Sequence, residues 1–283
     1  MFTKHILKRI STLVTICTLV WGTAAYAASK TVILATTTST QDSGLLDILV
    51  PAFEKESGFQ VKTISVGSGQ AMKMGEKGEA DVLLVHSPDA EKKFMVDGFG
   101  TTRRLVMHND FIIVGPAVDP AKIKGATAAE ALKRIAQTGT VFASRGDNSG
   151  THAKEKGLWK AAGINSEGQK WYQQTGLGMG QTLNVAAEKK GYTLTDRATY
   201  LSLKNGLGLE ILVEGDGKLL NIYHVIELNT VKWPKVNAQG GKAFADFMVA
   251  KKTQELIGRF GVEKFGAPLF FPDAGKKPES LGL

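Results

Sequence analysis

Along the chain, short unbroken apolar runs take turns with longer stretches whose apolar residues recur on one helical face. This alternation is the pattern of parallel strands covered by helices. The run Thr31 to Ala35 predicts a buried strand. Asp42 and Ser43 then serve as helix caps for a segment carrying Leu45, Leu46, Ile48, Leu49 and Phe53, with Pro51 as a kink or restart and Gly58 as the stop. Phe59 to Val66 predicts a second strand, Ser68 to about Lys77 a helix, and Ala80 to Val85 a third strand. Ser87-Pro88 opens another helix, ending near Gly98.

Two apolar segments, Leu105 to Met107 and Phe111 to Val114, come next, and then the alternation starts afresh. Its parts are a helix around Ala128 to Gln137, a strand at Thr140 to Ala143, a helix from near Gly150 and a strand at Trp171 to Gln174. A helix from Met179 to Lys189 and a short strand from Tyr192 to Leu194 lead into Asp196 to Leu203. A late strand, Ile222 to Leu228, precedes amphipathic helices over Gly241 to Leu256 and Ile257 to Phe265, which have only the first unit left to pack on. Such a chain has two α/β lobes joined by two hinge crossovers around a central cleft. Residues 28–110 and 225–283 are assigned to lobe one and residues 111–224 to lobe two. The tail from Pro272 onward, rich in Lys, Gly and Pro, reads as a loosely held end.

The amino terminus stands apart from this pattern. Lys4, Lys8 and Arg9 precede an apolar stretch, Ile10 to Ala25, and a small-x-small site at Ala25-Tyr26-Ala27, so residues 1–27 read as a cleaved signal peptide. Cys17, the only cysteine, lies inside it. A mature chain without thiols has no disulfide, thiolate metal site or cysteine nucleophile. The apolar run continues past Cys17 without a small residue just before it, which favours a soluble periplasmic protein over a lipoprotein. The 283 residues carry a formal charge of +8, with three of the cations in the signal segment. The other lysines are scattered and no basic stripe is interleaved with aromatics, so no nucleic-acid partner is expected. A mild positive balance suits an anionic ligand.

Three strand-to-helix junctions share an unusual character: Thr36-Thr37-Thr38-Ser39-Thr40, Gly67-Ser68-Gly69-Gln70, and Ser144-Arg145-Gly146-Asp147-Asn148-Ser149-Gly150-Thr151. Each is small and hydroxyl-rich where a helix begins. Helix starts offer free N–H groups and a partial positive charge, and glycine allows close approach to the main chain. Taken singly, each junction is equally a helix cap and a turn. Arg145 is either bridged to Asp147 or free to hold an anion. Asp42 reads as a cap and Asp147 as a residue that orients the turn or the arginine, with neither contacting the ligand. Thr193 or Thr195 offers a further donor, and His86 a packing or supporting role. Gly146-Asp-Asn-Ser-Gly150 resembles the nucleophile segment of trypsin-like proteases, and His86, His108, His152 and His224 are candidate bases. However, there is no Gly-x-Ser-x-Gly elbow and no histidine-rich metal-ligand cluster, which leaves an exported hydrolase as the outlying alternative.

The run from Leu34 to Leu46, together with Val66-Gly-Ser-Gly-Gln-Ala71, Asp81 to His86 and Ser144-Arg-Gly-Asp-Asn-Ser-Gly-Thr-His152, closely resembles the tungstate-binding periplasmic proteins of tungstate ABC importers. The resemblance implies a type II periplasmic-binding-protein fold whose lobes close over a tetrahedral oxyanion. It implies binding roles for Thr36, Thr38, Ser39, Ser68, Arg145, Ser149 and Thr151, with Gly69 and Gly150 contributing main chain. It implies tungstate or molybdate as ligand, no cofactor and no catalysis. Its implied partners are an inner-membrane ABC permease and a cytoplasmic ATPase, with the binding protein itself a monomer. Phosphate is the same-class alternative, since the Arg145 to Thr151 run also resembles phosphate-binding proteins. Phosphate carries a proton at pH 7 and needs an acceptor, whereas tungstate needs donors only.

Overall fold

The computed structural model describes residues 30–277 and Leu281. The signal-peptide segment, its cleavage site and Cys17 lie outside these residues. Strand β1 (Thr31–Thr37) runs into the five-residue helix α1 (Thr38–Asp42), and α2 (Leu46–Ser57) follows. Helix α2 carries Pro51 inside it and ends at Gly58, whose φ of 73° is the left-handed stop the sequence predicts. Then come β2 (Gln60–Val66), α3 (Ser68–Glu76), β3 (Val82–Val85) and α4 (Pro88–Val96), which starts on its proline.

The next strand differs from expectation. The two apolar segments after Gly98 are parts of one 17-residue strand, β4 (Gly100–Pro116). Helix α5 (Ala128–Thr138) begins with a capping box between Thr127 and Glu130, and β5 (Phe142–Ser144), α6 (Gly150–Ala161) and β6 (Tyr172–Gln174) follow. Helix α7 (Met179–Glu188), β7 (Thr193–Asp196) and α8 (Arg197–Leu203) come next, and then β8 (Leu209–Val213), which the sequence reading leaves unassigned. The last elements are β9 (Leu220–Leu228), α9 (Ala238–Val249), α10 (Lys251–Arg259), α11 (Val262–Phe265) and β10 (Phe271–Pro272).

Strand β1 pairs in parallel with β2 on one side and β3 on the other, and β3 pairs antiparallel with β9. Strand β4 belongs to two neighbourhoods. From Gly100 to Asp110 it pairs with β9, and from Phe111 to Pro116 with β7 and β8. Strands β5 and β6 form a separate parallel pair, bridged to the rest at Phe142 and Tyr192. The core divides in the same way. Val32, Leu34, Phe53, Val225, Phe244, Met248 and Ile257 cluster on the first half, where the carboxy-terminal helices pack. Phe111, Ile113, Phe142, Trp159, Tyr192 and Val213 cluster on the second. Each such side chain, buried, contributes about 1.5–3 kcal/mol relative to exposure.

The tail also corrects the sequence reading. Phe271 and Pro272 pair with β4. Asp273, almost fully buried, donates its N–H to Val106 and places Oδ2 2.6 Å from His108 Nδ1. The chain is therefore fixed through this point rather than loose from Pro272.

Helix α6 carries a buried acid with no ion-pair partner among the described residues. Glu155 on α6 accepts from Tyr172 Oη at 2.6 Å and Trp159 Nε1 at 3.2 Å, and burial pushes its carboxyl up to about 7. A folded-state value above the ordinary one gives stability that is full below pH 4.5 and is lost as pH rises through 7. Glu155→Gln keeps the acceptor oxygen and removes the titration. Its melting temperature should exceed that of the parent by roughly 5 °C at pH 8, with the gap closing by pH 5, in thermal scans across that range.

Candidate anion-binding site

The loop after β5 is built to aim one arginine. Gly146 (φ 63°) and Asn148 (φ 57°) both adopt left-handed backbone, folding the chain tightly between Arg145 and Ser149. Asp147 Oδ1 accepts the Ser149 N–H at 3.1 Å, and His152 Nδ1 accepts the Asn148 N–H at 3.0 Å. The Arg145 carbonyl accepts from Gly176 N at 2.8 Å. Thus anchored, Arg145 is 1% exposed. Its Nη2 donates to Asp147 Oδ2 at 2.5 Å and to Thr38 Oγ1 at 2.9 Å. The bridge to Asp147 therefore exists, but it occupies only one nitrogen. Arg145 Nε and Nη1 are buried with no partner among the described residues, as is Thr151 Oγ1 on the first turn of α6. A buried donor left unmade costs about 1–3 kcal/mol, and more when charged.

The other wall comes from the ends of β1 and β3. Thr37 caps α1, accepting from Thr40 N, and its Oγ1 lies 3.0 Å from Ser39 Oγ. His86 Nε2 sits 3.1 Å from Ser39 Oγ and 3.2 Å from Thr37 Oγ1. Burial, and behind it the Arg145 charge, pushes the His86 imidazole down to about 3, so the ring is neutral. Ser39, Ser68 and Ser149 are all fully buried. Ser68 Oγ stands 3.5 Å from His86 N, and Ser149 Oγ caps α6 by accepting from His152 N at 3.2 Å.

The walls meet at glycines. A methyl group added at Gly67 would lie 3.1 Å from Ser149 Cα, at Gly69 2.7 Å from the Asn148 carbonyl oxygen, and at Gly150 2.6 Å from the His86 carbonyl oxygen. The amino ends of α3 and α6 thus face each other at main-chain contact distance, with Arg145 beside them. Helix α7 joins differently, since its Gly180 N–H donates to Asp42 Oδ2 at 3.0 Å. Asp42 therefore does not cap α2. It ends α1, accepts from the opposite half of the fold, and has its carboxyl raised above the ordinary range by burial.

Several nominated donors are committed elsewhere. The Thr36 hydroxyl donates to the Leu84 carbonyl at 2.8 Å inside the sheet, which removes it from the donor set. Thr193 donates to the Ala143 carbonyl at 2.7 Å and Thr195 to the Asp196 carbonyl at 3.2 Å. The structure brings together Thr38, Ser39, Ser68, Gly69, Arg145, Ser149, Gly150 and Thr151. It adds Thr37, and it sets His86, which the sequence reading gives a packing or supporting role at the cleft edge, against the Ser39 and Thr37 hydroxyls. Alternation along a strand end tells that Thr36 and Thr37 face opposite sides, but not which side is which.

This donor set is poorly suited to nucleophilic catalysis. Ser39 and His86 are within hydrogen-bond reach, but no carboxylate orients His86 Nδ1, which is buried without a partner among the described residues. An imidazole held down near 3 is a weak base at neutral pH.

Fold and donor set together define a periplasmic-binding-protein domain, in which two α/β halves meet over a solute. Residues 24–252 match the PBP superfamily domain. The tungstate-binding protein TupA of Peptoclostridium acidaminophilum is 52% identical over 252 residues, 88% of this chain and 88% of that protein. The solved tungstate-binding protein TupA of Desulfovibrio alaskensis G20 is 50% identical with a TM-score of 0.70, covering 86% of this chain and 99% of that one. The tungstate ABC transporter structure from Geobacter sulfurreducens is 46% identical with a TM-score of 0.75, covering 81% and 98%. This chain belongs to the PBP superfamily and, within it, to the family of tungstate-binding proteins. No helix among the described residues is long and apolar enough to cross a membrane.

Proposed function

We propose that this protein captures tungstate, with molybdate as a close second, in the periplasm after loss of residues 1–27, and delivers it to an ABC permease driven by a cytoplasmic ATPase. It acts as a monomer and does no chemistry of its own. Lobe one is 28–110 with the carboxy-terminal part of the chain, and lobe two is the segment from 111. The start of β9 at Leu220 favours a return crossover about five residues before the 225 expected from sequence.

The observation that carries this reading is the set of unpartnered donors. Arg145 Nε and Nη1 and Thr151 Oγ1 are buried without partners among the described residues, between the amino ends of two helices. The Thr38, Ser39, Ser68 and Ser149 hydroxyls and the free N–H groups of α3 and α6 complete a site of donors for a tetrahedral dianion. The two nearby carboxylates already have protein donors: Asp147 holds Arg145 and Ser149 N, and Asp42 holds Gly180 N. These ties to protein donors favour an anion that brings no proton of its own over phosphate. The similarity to tungstate-binding proteins supports tungstate as the particular oxyanion.

Isothermal titration with tungstate, molybdate, sulfate and phosphate tests the assignment. Tungstate and molybdate should bind with Kd below about 1 μM, and phosphate at least roughly a thousandfold more weakly. Phosphate competing at micromolar concentration would refute it.

A further inference from the structure

Below the donor wall lies a buried polar cluster that holding an oxyanion does not require. Asp196 ends β7, caps α8 and is fully buried. Its Oδ1 accepts from Thr199 N at 2.8 Å and lies 3.4 Å from Asn109 Nδ2, while Oδ2 has no partner among the described residues. Asn109 and Asn221 face each other across β4 and β9. Asn221 Nδ2 donates to Asn109 Oδ1 at 2.8 Å and to Tyr223 Oη at 3.0 Å. Thr199 ties the cluster to the anion wall by donating its hydroxyl to the Ser39 carbonyl at 3.0 Å.

The charges around Asp196 are unevenly arranged. Asp42, at the end of α1, repels it, and Arg145, beyond β5, attracts it. On β9, Tyr223 is held protonated by burial, and just past β3 His86 is neutral. Arg197 of α8 faces away, paired at 2.6 Å with Asp110 of β4 and at 2.7 Å with Glu214. Lys154 of α6 donates to the Lys218 carbonyl. Among the described residues, the cation that favours an ionised Asp196 is therefore Arg145, which also holds the ligand.

We propose that Asp196 takes up a proton when the oxyanion is captured, so that affinity rises as pH falls. This rests on the tungstate reading above. The anion stays fully deprotonated and the proton comes from solvent, so the closed site gains one negative charge instead of two. In the unliganded protein, burial already holds the Asp196 carboxyl up at about 6. A dianion on Arg145 offsets the attraction and adds repulsion, raising it further. A higher value in the bound state means proton uptake on binding. Affinity is then greatest below the unliganded value and falls, by up to tenfold per pH unit, as pH rises toward the liganded value.

The test is calorimetric titration of sodium tungstate into the mature protein between pH 6.5 and 8.5, in buffers of different ionisation enthalpy. The wild type should take up several tenths of a proton near pH 7. Asp196→Asn, which keeps the acceptor for Thr199 N–H, should bind with no uptake and a flat pH profile, whereas Asp42→Asn and Glu155→Gln should keep the uptake. Independently of any variant, tungstate should add a protonated-carboxyl stretching band to the infrared difference spectrum of the wild type. Tungstate binding without proton uptake, or uptake that survives in Asp196→Asn, overturns the proposal. A wild type that binds no tungstate at any of these pH values overturns both it and the functional reading beneath it.

Discussion

Replacing Arg145 by alanine is expected to weaken tungstate binding about a thousandfold, the largest loss of any single side chain in the site. Among the described residues the arginine is the cationic side chain on the wall, and two of its nitrogens are buried there without a partner. Hydrogen bonds to a charged acceptor are worth about 1.5–3 kcal/mol each, so losing two or three of them gives a loss of this size. The substitution also frees Asp147 Oδ2, whose bridge to Nη2 disappears, and sets a carboxylate loose near the dianion. Arg145→Lys should recover roughly tenfold of the loss, because it restores the charge but not the planar fork. Calorimetry measures both variants. An alanine variant that binds within about threefold of the parent would remove the basis of the functional assignment.

Gly150→Ala should be nearly as damaging for a different reason. The added methyl would lie 2.6 Å from the His86 carbonyl oxygen and 2.7 Å from His86 Nδ1, and the carbonyl is main chain that cannot swing aside. Gly150 is on one side of the site and His86 on the other, so the collision occurs only when the two halves come together. Alanine in the first turn of α6 costs nothing locally, and helix propensity favours it over glycine by about 0.5–1 kcal/mol. The unliganded variant should melt at or slightly above the parent temperature, bind tungstate at least about a hundredfold more weakly, and show no ligand-induced contraction in small-angle scattering. Gly157→Ala on the same helix, where a methyl meets nothing within 4 Å, serves as the control. Full affinity in Gly150→Ala would mean that the halves do not need this approach.

Much of this was legible in the sequence because caps and stops carry their own chemistry. Gly58 ends α2, Ser87-Pro88 starts α4, and the Ser144 to Thr151 run announces a strand, a tight loop and a helix. What escaped was governed by long-range pairing. Strand β4 read as two pieces because His108, Asn109 and Asp110 interrupt its apolar pattern, yet Asn109 is fully buried and satisfied by Asn221, more than a hundred residues away. Strand β8 alternates weakly, with Glu210 exposed between apolar neighbours, and takes its form from β4. The resemblance implies a binding role for Thr36 as for Thr38, and alternation at the strand end leaves open which hydroxyls face the site. Only the Leu84 carbonyl, brought alongside by β3, decides that the Thr36 hydroxyl belongs to the sheet. His86 was visible as a residue, but its contact with Ser39 and Thr37 depends on the parallel pairing of β1 and β3.

The uninterrupted course of β4 through both neighbourhoods has a mechanical consequence. The change of partners between Asp110 and Phe111 falls inside a hydrogen-bonded ribbon, so the two halves share a backbone spring rather than a slack tether. Rotation of one half against the other must bend that ribbon and its β9 neighbour, which limits how far the mouth can gape. A change of pairing at either end of the ribbon therefore reaches the other half through main chain.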